Sequence, residues 1–301
     1  MVESNLVNVA LHAHPHFYRP DDGVSRKTVD ERVYKKFFPV PSLRDIVENA
    51  LERNIGVCAI SDCHTPTSGI DTRFRTYHEE MYDLSDQFHL NELESEGWIG
   101  FTKRESVEGK LNKTIILRTQ EVRTRYENGY ADINVIGVGE DIPHSLDLSE
   151  TAKMAKEAGG IVIAAHPNAG ACSMGLDKAK DMYWDDEIDS IESFNATDSV
   201  EHNQYVMIEL DGMGTKFPAV SDAHHISHVD TAYISVNSGL LNDFSISDLK
   251  EVLDYGEFDN HFEYVSSRAK FIYHTLPILA SLPGHVARKP REIWKSLKRS
   301  K

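Results

Sequence analysis

Cysteine is scarce in this chain. Its 301 residues hold three, Cys58, Cys63 and Cys172, too few for a disulfide framework. The first residues show no basic stretch followed by an apolar one, so no secretory leader is read there, and a reducing, cytoplasmic setting is expected. Long hydrophobic runs are also missing. The longest apolar region, 271–282, is short and interrupted by Pro277, which excludes a regular membrane-spanning helix. Positive charge is outweighed, 32 Lys and Arg against 48 Asp and Glu, for a net charge of −16. Such a surface repels phosphate backbones and disfavours tight binding of long duplex DNA unless a local basic groove overrides it. There is no glycine-rich nucleotide loop, no internal repeat and no low-complexity tract. What remains is a globular composition, 40% hydrophobic and 27% charged, able to bury a core.

Seven short apolar, β-like runs stand out at 6–11, 57–60, 114–117, 133–138, 161–165, 188–194 and 217–220. Helical patterns separate several of them. One spans 42–54, with Ser42 placed to cap it. Another has Ser149 as N-cap, Ala152, Ala155 and Ala158 inside, and Gly159-Gly160 as its stop. A third covers 201–210. The runs at 114–117 and 133–138 are joined through a turn-like Tyr126-Glu127-Asn128-Gly129. Runs apolar on both faces and alternating with helices read as buried parallel strands, hence an α/β protein. Two segments, 18–41 and 66–112, are polar or charged and read as insertions, either a lid or a solvated excursion. The tail, 268–301, carries nine Lys or Arg and one acid, Glu292. It would contact RNA, an anionic membrane or a protein partner, or lie on the chain's own acidic surface.

Metal-type residues recur just past the ends of the runs: His12-Ala13-His14, Ser61-Asp62-Cys63-His64, Gln120-Glu121, Ala165-His166-Pro167 and Ser221-Asp222-Ala223-His224. Both closed barrels and open doubly wound sheets carry their sites beyond such strand ends, but ligands from so many strands converge more readily on a closed ring. Imidazoles and carboxylates together suit Zn²⁺, Mn²⁺ or Fe²⁺. Two or three such ions can activate water, neutralise phosphoryl oxygens and assist a leaving alcohol, which is what phosphate ester hydrolysis requires. Arginines should clamp the phosphate. Arg123 is the preferred candidate, with Arg125, Arg73, Arg75 and Arg104 behind it.

In this order, and with Glu192-Ser193-Phe194-Asn195 between the last two motifs, the chain resembles the PHP (polymerase and histidinol phosphatase) family of metal-dependent phosphoesterases. The resemblance covers about 5–253. It implies a distorted, TIM-like (β/α)7 barrel over 1–267 with a metal site at the C-terminal rim of the strands. By position it implies His12, His14, Glu121 and Asp222 on a first ion, with Glu121 bridging to a second that His166 helps to bind. His224 would join a third site or contact the substrate phosphate, and Glu192 would stand behind the ligands. Asp62, His64, His224 and Arg123 are the candidates for direct catalytic work.

Three departures matter. Cys63 stands where the family has His: it would be a thiolate ligand, or a small buried hydrophobe with His64 reaching in instead, or the third site is lost. Asn134-Val135-Ile136-Gly137 replaces a His-x-x-Gly pattern, and Asn is a poor transition-metal ligand. The usual Ser-Asp-Gly after the His pair is displaced, with Asp22-Gly23 or His16 as substitutes. The leading function is hydrolysis of a phosphorylated metabolite, nucleotide or short oligonucleotide. The alternatives are an exonuclease using the basic tail as a handle, and a non-catalytic module with a degenerate metal site.

Overall fold

The computed structural model describes residues 6–14, 41–62, 80–93, 97–107, 110–127, 129–169 and 172–270. His16, Asp22-Gly23, Cys63, His64, Arg73, Arg75 and the tail beyond 270 lie outside the described residues.

In chain order the elements are β1 (Leu6–Ala13), α1 (Leu43–Glu52), β2 (Ile55–Asp62), β3 (Phe88–Leu93), β4 (Trp98–Lys103), β5 (Lys113–Tyr126), β6 (Gly129–Ile136), α2 (Leu148–Glu157) and β7 (Ile161–Ala164). They continue with α3 (Leu176–Trp184), β8 (Ser190–Ile191), β9 (Phe194–Asn195), α4 (Val200–Asp211), β10 (Ala219–Val220), β11 (Ala232–Asn237), α5 (Ile246–Tyr255), β12 (Asp259–Phe262) and α6 (Ser267–Lys270). This is a mixed α/β fold around one large curled sheet, ordered β12-β11-β1-β2-β5-β6-β7-β8, with β9 and β10 paired beside it.

Strands β1, β2 and β5 run parallel, as apolar-on-both-faces runs predict. The all-parallel expectation fails at β6, which is antiparallel to both β5 and β7. The cause is connection length. Tyr126 pairs with Gly129, so two residues join the strands, whereas a parallel crossover needs a dozen or more. Glu127 takes φ 51° in that turn, as tight hairpin turns demand. Antiparallel β11 and β12 extend the sheet beyond β1 and were not among the seven runs.

The run at 188–194 divides. Glu192 N–H still donates to Ala164 O on β7 at 3.1 Å, while Ser193 N–H donates to Pro218 O, ahead of β10, at 2.9 Å. The chain changes partners at that point. Residues 221–224 then return to β1: Asp222 N–H donates to His12 O at 2.9 Å, His14 N–H to Ala223 O at 2.6 Å, and Ser221 Oγ to His12 O at 3.0 Å. These bonds bring the His-x-His and Asp-x-His motifs side by side.

Helix α1 starts as read. Ser42 and Asp45 form a reciprocal capping box, a device contributing about 1 kcal/mol, and Leu43, Ile46, Val47, Ala50 and Leu51 are buried. Helix α2 corrects the sequence reading: its N-cap is Asp147, whose side chain accepts from Ser149 N–H. Both residues favour caps, and the carboxylate two positions earlier takes the role. The described part of 66–112 is no solvated excursion. β4 pairs with β5, β3 pairs with β4, and Met81, Leu84, Phe88, Ile99 and Phe101 pack with α1 in a core cluster. Trp98 is buried edge-on against Phe244, 5.6 Å between ring centroids. Gly137, after β6, has φ 77°, and a Cβ there would overlap the Ile246 side chain, so backbone and space both call for glycine. Among the described residues no helix is long and apolar enough to cross a membrane.

Candidate metal centre

The end of β1 supplies two buried imidazoles, and their ring geometry is fixed from behind. His12 Nδ1 lies 2.7 Å from Glu192 Oε1, and His14 Nδ1 lies 3.1 Å from the carbonyl oxygen of Ser61. Carboxylates and carbonyls accept, so both Nδ1 atoms carry the proton and donate. That turns the two Nε2 atoms the same way, 3.0 Å apart. Carboxylate oxygens surround them. His12 Nε2 is 3.9 Å from Glu121 Oε1 and 3.7 Å from Asp222 Oδ1. His14 Nε2 is 3.5 Å from Glu121 Oε2 and 3.6 Å from Asp222 Oδ1.

Donors bound tetrahedrally at about 2.0–2.1 Å from one ion stand about 3.3 Å from each other. The imidazole–imidazole and imidazole–carboxylate spacings of 3.0 to 3.9 Å bracket that value, so the residues present fit a divalent ion. His12, His14 and Glu121 form one possible ligand group, with Asp222 beside both imidazoles.

Charge points the same way. Burial opposes protonation of His12, but Glu192, Asp222 and Glu121 outweigh it and raise its pKa to about 9. Burial likewise opposes the charged form of His166, yet the bond to Glu121 and the surrounding carboxylates hold it well above the ordinary range. Burial pushes Glu121 and Asp222 up, but the imidazoles win and both are lowered. A buried cluster that holds protons on histidine so strongly favours any cation placed among its carboxylates.

The remaining residues gather around this core. His224 Nε2 is 3.5 Å from Asp222 Oδ1, and its ring stacks on His14 at 4.7 Å. His166 Nε2 is 3.0 Å from Glu121 Oε1. His14, Asp222 and His224 form a second possible ligand group, and Glu121, Asp132 and His166 a third. His166 and Asp222 hold φ values of 29° and 43°, backbone strain of the kind that collects at functional sites. Asp62 ends β2 opposite Gln120 of β5.

Glu192 lies behind His12, on the side away from its Nε2. Its Oε1 accepts from His12 and from Asn134 Nδ2 at 2.8 Å; its Oε2 accepts from His166 N–H at 2.7 Å and Asn195 Nδ2 at 3.3 Å. Asn134 therefore supports Glu192. Arg123, the preferred phosphate clamp, donates from Nε and Nη2 to the two oxygens of Asp132 at 2.9 and 2.8 Å. Its fork is turned onto a carboxylate of its own chain.

Sequence reasoning missed Asp132, although period-two alternation from Asn134 along β6 puts both on one face. It also missed Thr197, whose hydroxyl lies 2.9 Å from Asp222 Oδ2 and 2.8 Å from Asn195 Oδ1, while Asn195 Nδ2 donates to Asp222 Oδ2 at 3.1 Å. His144 Nδ1 accepts Arg123 N–H at 3.0 Å.

No protein-family model matches the chain. Over 169 residues, 55% of this chain and 74% of the relative, it is 25% identical to an uncharacterised protein of Methanocaldococcus jannaschii. Among solved structures it is similar to a lesion-specific endonuclease of Pyrococcus furiosus, with TM-score 0.49, 15% identity, and coverage of 85% of this chain and 57% of that one. It is also similar to PsfC of Pseudomonas syringae, with TM-score 0.49, 10% identity, and coverage of 92% and 98%. A third similar structure, from Bacteroides vulgatus, is a two-domain protein containing a predicted PHP-like metal-dependent phosphoesterase. There the TM-score is 0.49, the identity 14%, and the coverage 86% of this chain and 66% of that one. The matches thus span less than two thirds of the endonuclease and of the two-domain protein.

Proposed function

We propose that the chain is a metal-dependent phosphoesterase acting on a small phosphorylated metabolite, a nucleotide or a short oligonucleotide. The observation that carries this reading is the paired imidazoles: both Nδ1 atoms anchored, both Nε2 atoms facing one point ringed by Glu121 and Asp222. Nitrogen and oxygen donors of this kind suit Zn²⁺, Mn²⁺ or Fe²⁺. We read β1, β2, β5, β6, β7, the β8–β9 run and β10 as the seven staves of a distorted (β/α)7 barrel. Among the described residues Cys58 and Cys172 are free thiols, which accords with a reducing, cytoplasmic setting.

When bound, divalent ions supply Lewis acidity, which makes water nucleophilic near neutral pH and neutralises charge on phosphoryl oxygens. The chain's own residues do the rest. His12, His14, Glu121 and Asp222 would hold the first ion, and Glu121 with His166 would extend to a second. Glu192 fixes the tautomer and plane of His12, a support that sets both geometry and basicity. Asn195 and Thr197 hold Asp222 Oδ2, which leaves Oδ1 facing the imidazoles. His224, buried beside Asp222, would hold or move a proton at its Nε2 as the alcohol leaves.

The test is elemental analysis of the purified protein, paired with a phosphomonoester, phosphodiester and oligonucleotide panel with added Mn²⁺. At least one bound transition-metal ion per chain and Mn²⁺-dependent turnover are expected. A protein that binds no Mn²⁺ or Zn²⁺ at neutral pH would sink the reading. A protein that binds metal yet hydrolyses no phosphoester would favour the non-catalytic module.

A further inference from the structure

Strands β5 and β6 put four polar residues on one face of their hairpin. Glu121 pairs with Asn134 and Arg123 with Asp132. Directly opposed residues share a face, and so do residues two apart along a strand. Three donors of this corner, from Glu121, Asp132 and His166, lie within 4.8 Å of one another. The Asp132 side chain is only 3% exposed, and both its oxygens accept from Arg123. Asn134, 1% exposed and directly across from Glu121, has a buried Oδ1 with no hydrogen-bond partner among the described residues; His166 Nδ1 has none either. The corner therefore holds two carboxylates and two unused polar atoms, with the Arg123 guanidinium on Asp132 and the His166 imidazole on Glu121.

From this we propose that Arg123 is a built-in competitor for a cation at the Glu121–Asp132–His166 corner. Asp132 serves as the ligand that Asn134 does not supply, and it is available only when the Arg123 fork lets go. A guanidinium donating to both oxygens of a carboxylate covers the directions an ion would use. Both occupants are positive, so they exclude each other by charge as well as by space. The Arg123 side chain is 25% exposed and has solvent to turn into, whereas Asp132 has nowhere else to go. The His12–His14–Asp222 position has no guanidinium over its carboxylate, and its imidazoles can give up their protons to an arriving ion, so it should fill first. The corner should fill second and more weakly. This inference rests on the metal reading above, and it concerns the order and affinity of filling.

The experiment is Mn²⁺ titration by calorimetry, with elemental analysis after desalting, on wild type, Arg123→Gln, Arg123→Lys and Asp132→Asn. Circular dichroism confirms that each is folded. Wild type should hold one ion through desalting and bind another weakly. Arg123→Gln should bind the second at least tenfold more tightly. Asp132→Asn should keep the first ion and lose the second. Arg123→Lys keeps the charge without the fork, so it should tighten the second ion by a smaller factor, and it serves as the test if Arg123→Gln does not fold. If the wild type keeps one ion while both Arg123 variants bind the second no more tightly than it does, Arg123 is no competitor and this inference alone falls. A wild type that binds no ion overturns the metal reading and this inference together.

Discussion

Two corners of one interior face solve the same electrostatic problem in opposite ways. Where β1 meets residues 221–224, carboxylates and imidazoles are turned toward a common point and supported from behind by the Glu192 carboxylate, the Ser61 carbonyl and neutral donors. Where β5 meets β6, the buried carboxylate Asp132 is balanced by a cation of the chain itself, Arg123. The first corner balances its carboxylates with protons on its imidazoles, which an arriving ion can displace. The second is complete as it stands. A strand end with its side chains fixed from the second row makes a position for an exogenous ion, while a cross-strand pair of opposite charge makes a structural tie. The same residue types, at similar depth, serve either purpose.

The comparison is broken most severely at the first corner. Replacing His14 or Asp222 by Ala should reduce phosphoester hydrolysis on the order of 10⁴-fold, the scale on which an indispensable catalytic group acts. The fold should survive, because the hydrophobic clusters that make the core are untouched by either change. Steady-state rates on a substrate the parent hydrolyses, with circular dichroism alongside, check this; a folded variant with parental rates ends the assignment.

At the second corner the damage should fall on stability. Arg123→Met leaves Asp132 buried and uncompensated, which costs about 3–5 kcal/mol in metal-free protein. The double change Arg123→Met with Asp132→Leu removes the pair and should recover most of that loss, since apolar replacements of a buried ion pair are often neutral. Urea unfolding of the three proteins without metal decides it. Equal loss in single and double variants would mean that Arg123 acts by packing.

Glu192→Gln probes the support of the first corner. All four contacts of the carboxylate are donors to it, so an amide must turn its NH₂ toward at least one of them. Metal affinity should drop about 10–100-fold, the usual effect of removing a carboxylate behind a ligating histidine. Calorimetric titration with Zn²⁺ or Mn²⁺ measures it, and unchanged affinity would show that Ser61 and the backbone suffice to orient the pair.

Much of the first corner was legible in the sequence and much of the second was not. His12, His14, Glu121, His166, Asp222 and His224 each sit at or just past an apolar run, and the structure brings all six together. Their spacing is local and their chemistry specific. Asp132 was overlooked because nothing about a single Asp inside a strand separates a ligand from a solvated residue; its meaning comes from Arg123 across the ladder. Arg123 was read as a clamp for the same reason. Strand direction was also hidden. Runs apolar on both faces look alike in either sense, and only the two residues between Tyr126 and Gly129 revealed that β6 turns back. The β3–β4 hairpin escaped because its strands mix charged and apolar residues within a charged segment, so composition pointed outward while Phe88, Ile99 and Phe101 pointed in.

The smallest effect is expected at Thr197, and it sharpens the contrast most finely. Its hydroxyl is one of two neutral donors to Asp222 Oδ2, the other being Asn195. Thr197→Val removes that donor while keeping the branched shape. Asp222 then keeps its charge, Asn195 and its place beside the imidazoles, and what is lost is a single hydroxyl proton that faces both Asp222 Oδ2 and Asn195 Oδ1, about 1.5 kcal/mol. Metal affinity should weaken about tenfold and thermal stability should change little. At the hairpin, deleting the partner of Asp132 deletes a charge; here, deleting a partner of Asp222 deletes a dipole. If Thr197→Val proves as damaging as Arg123→Met, then Asp222 depends on its support as completely as Asp132 does, and the two corners do not differ in kind. Calorimetric metal titration and thermal melts of Thr197→Val beside wild type and Arg123→Met would read out that ranking directly.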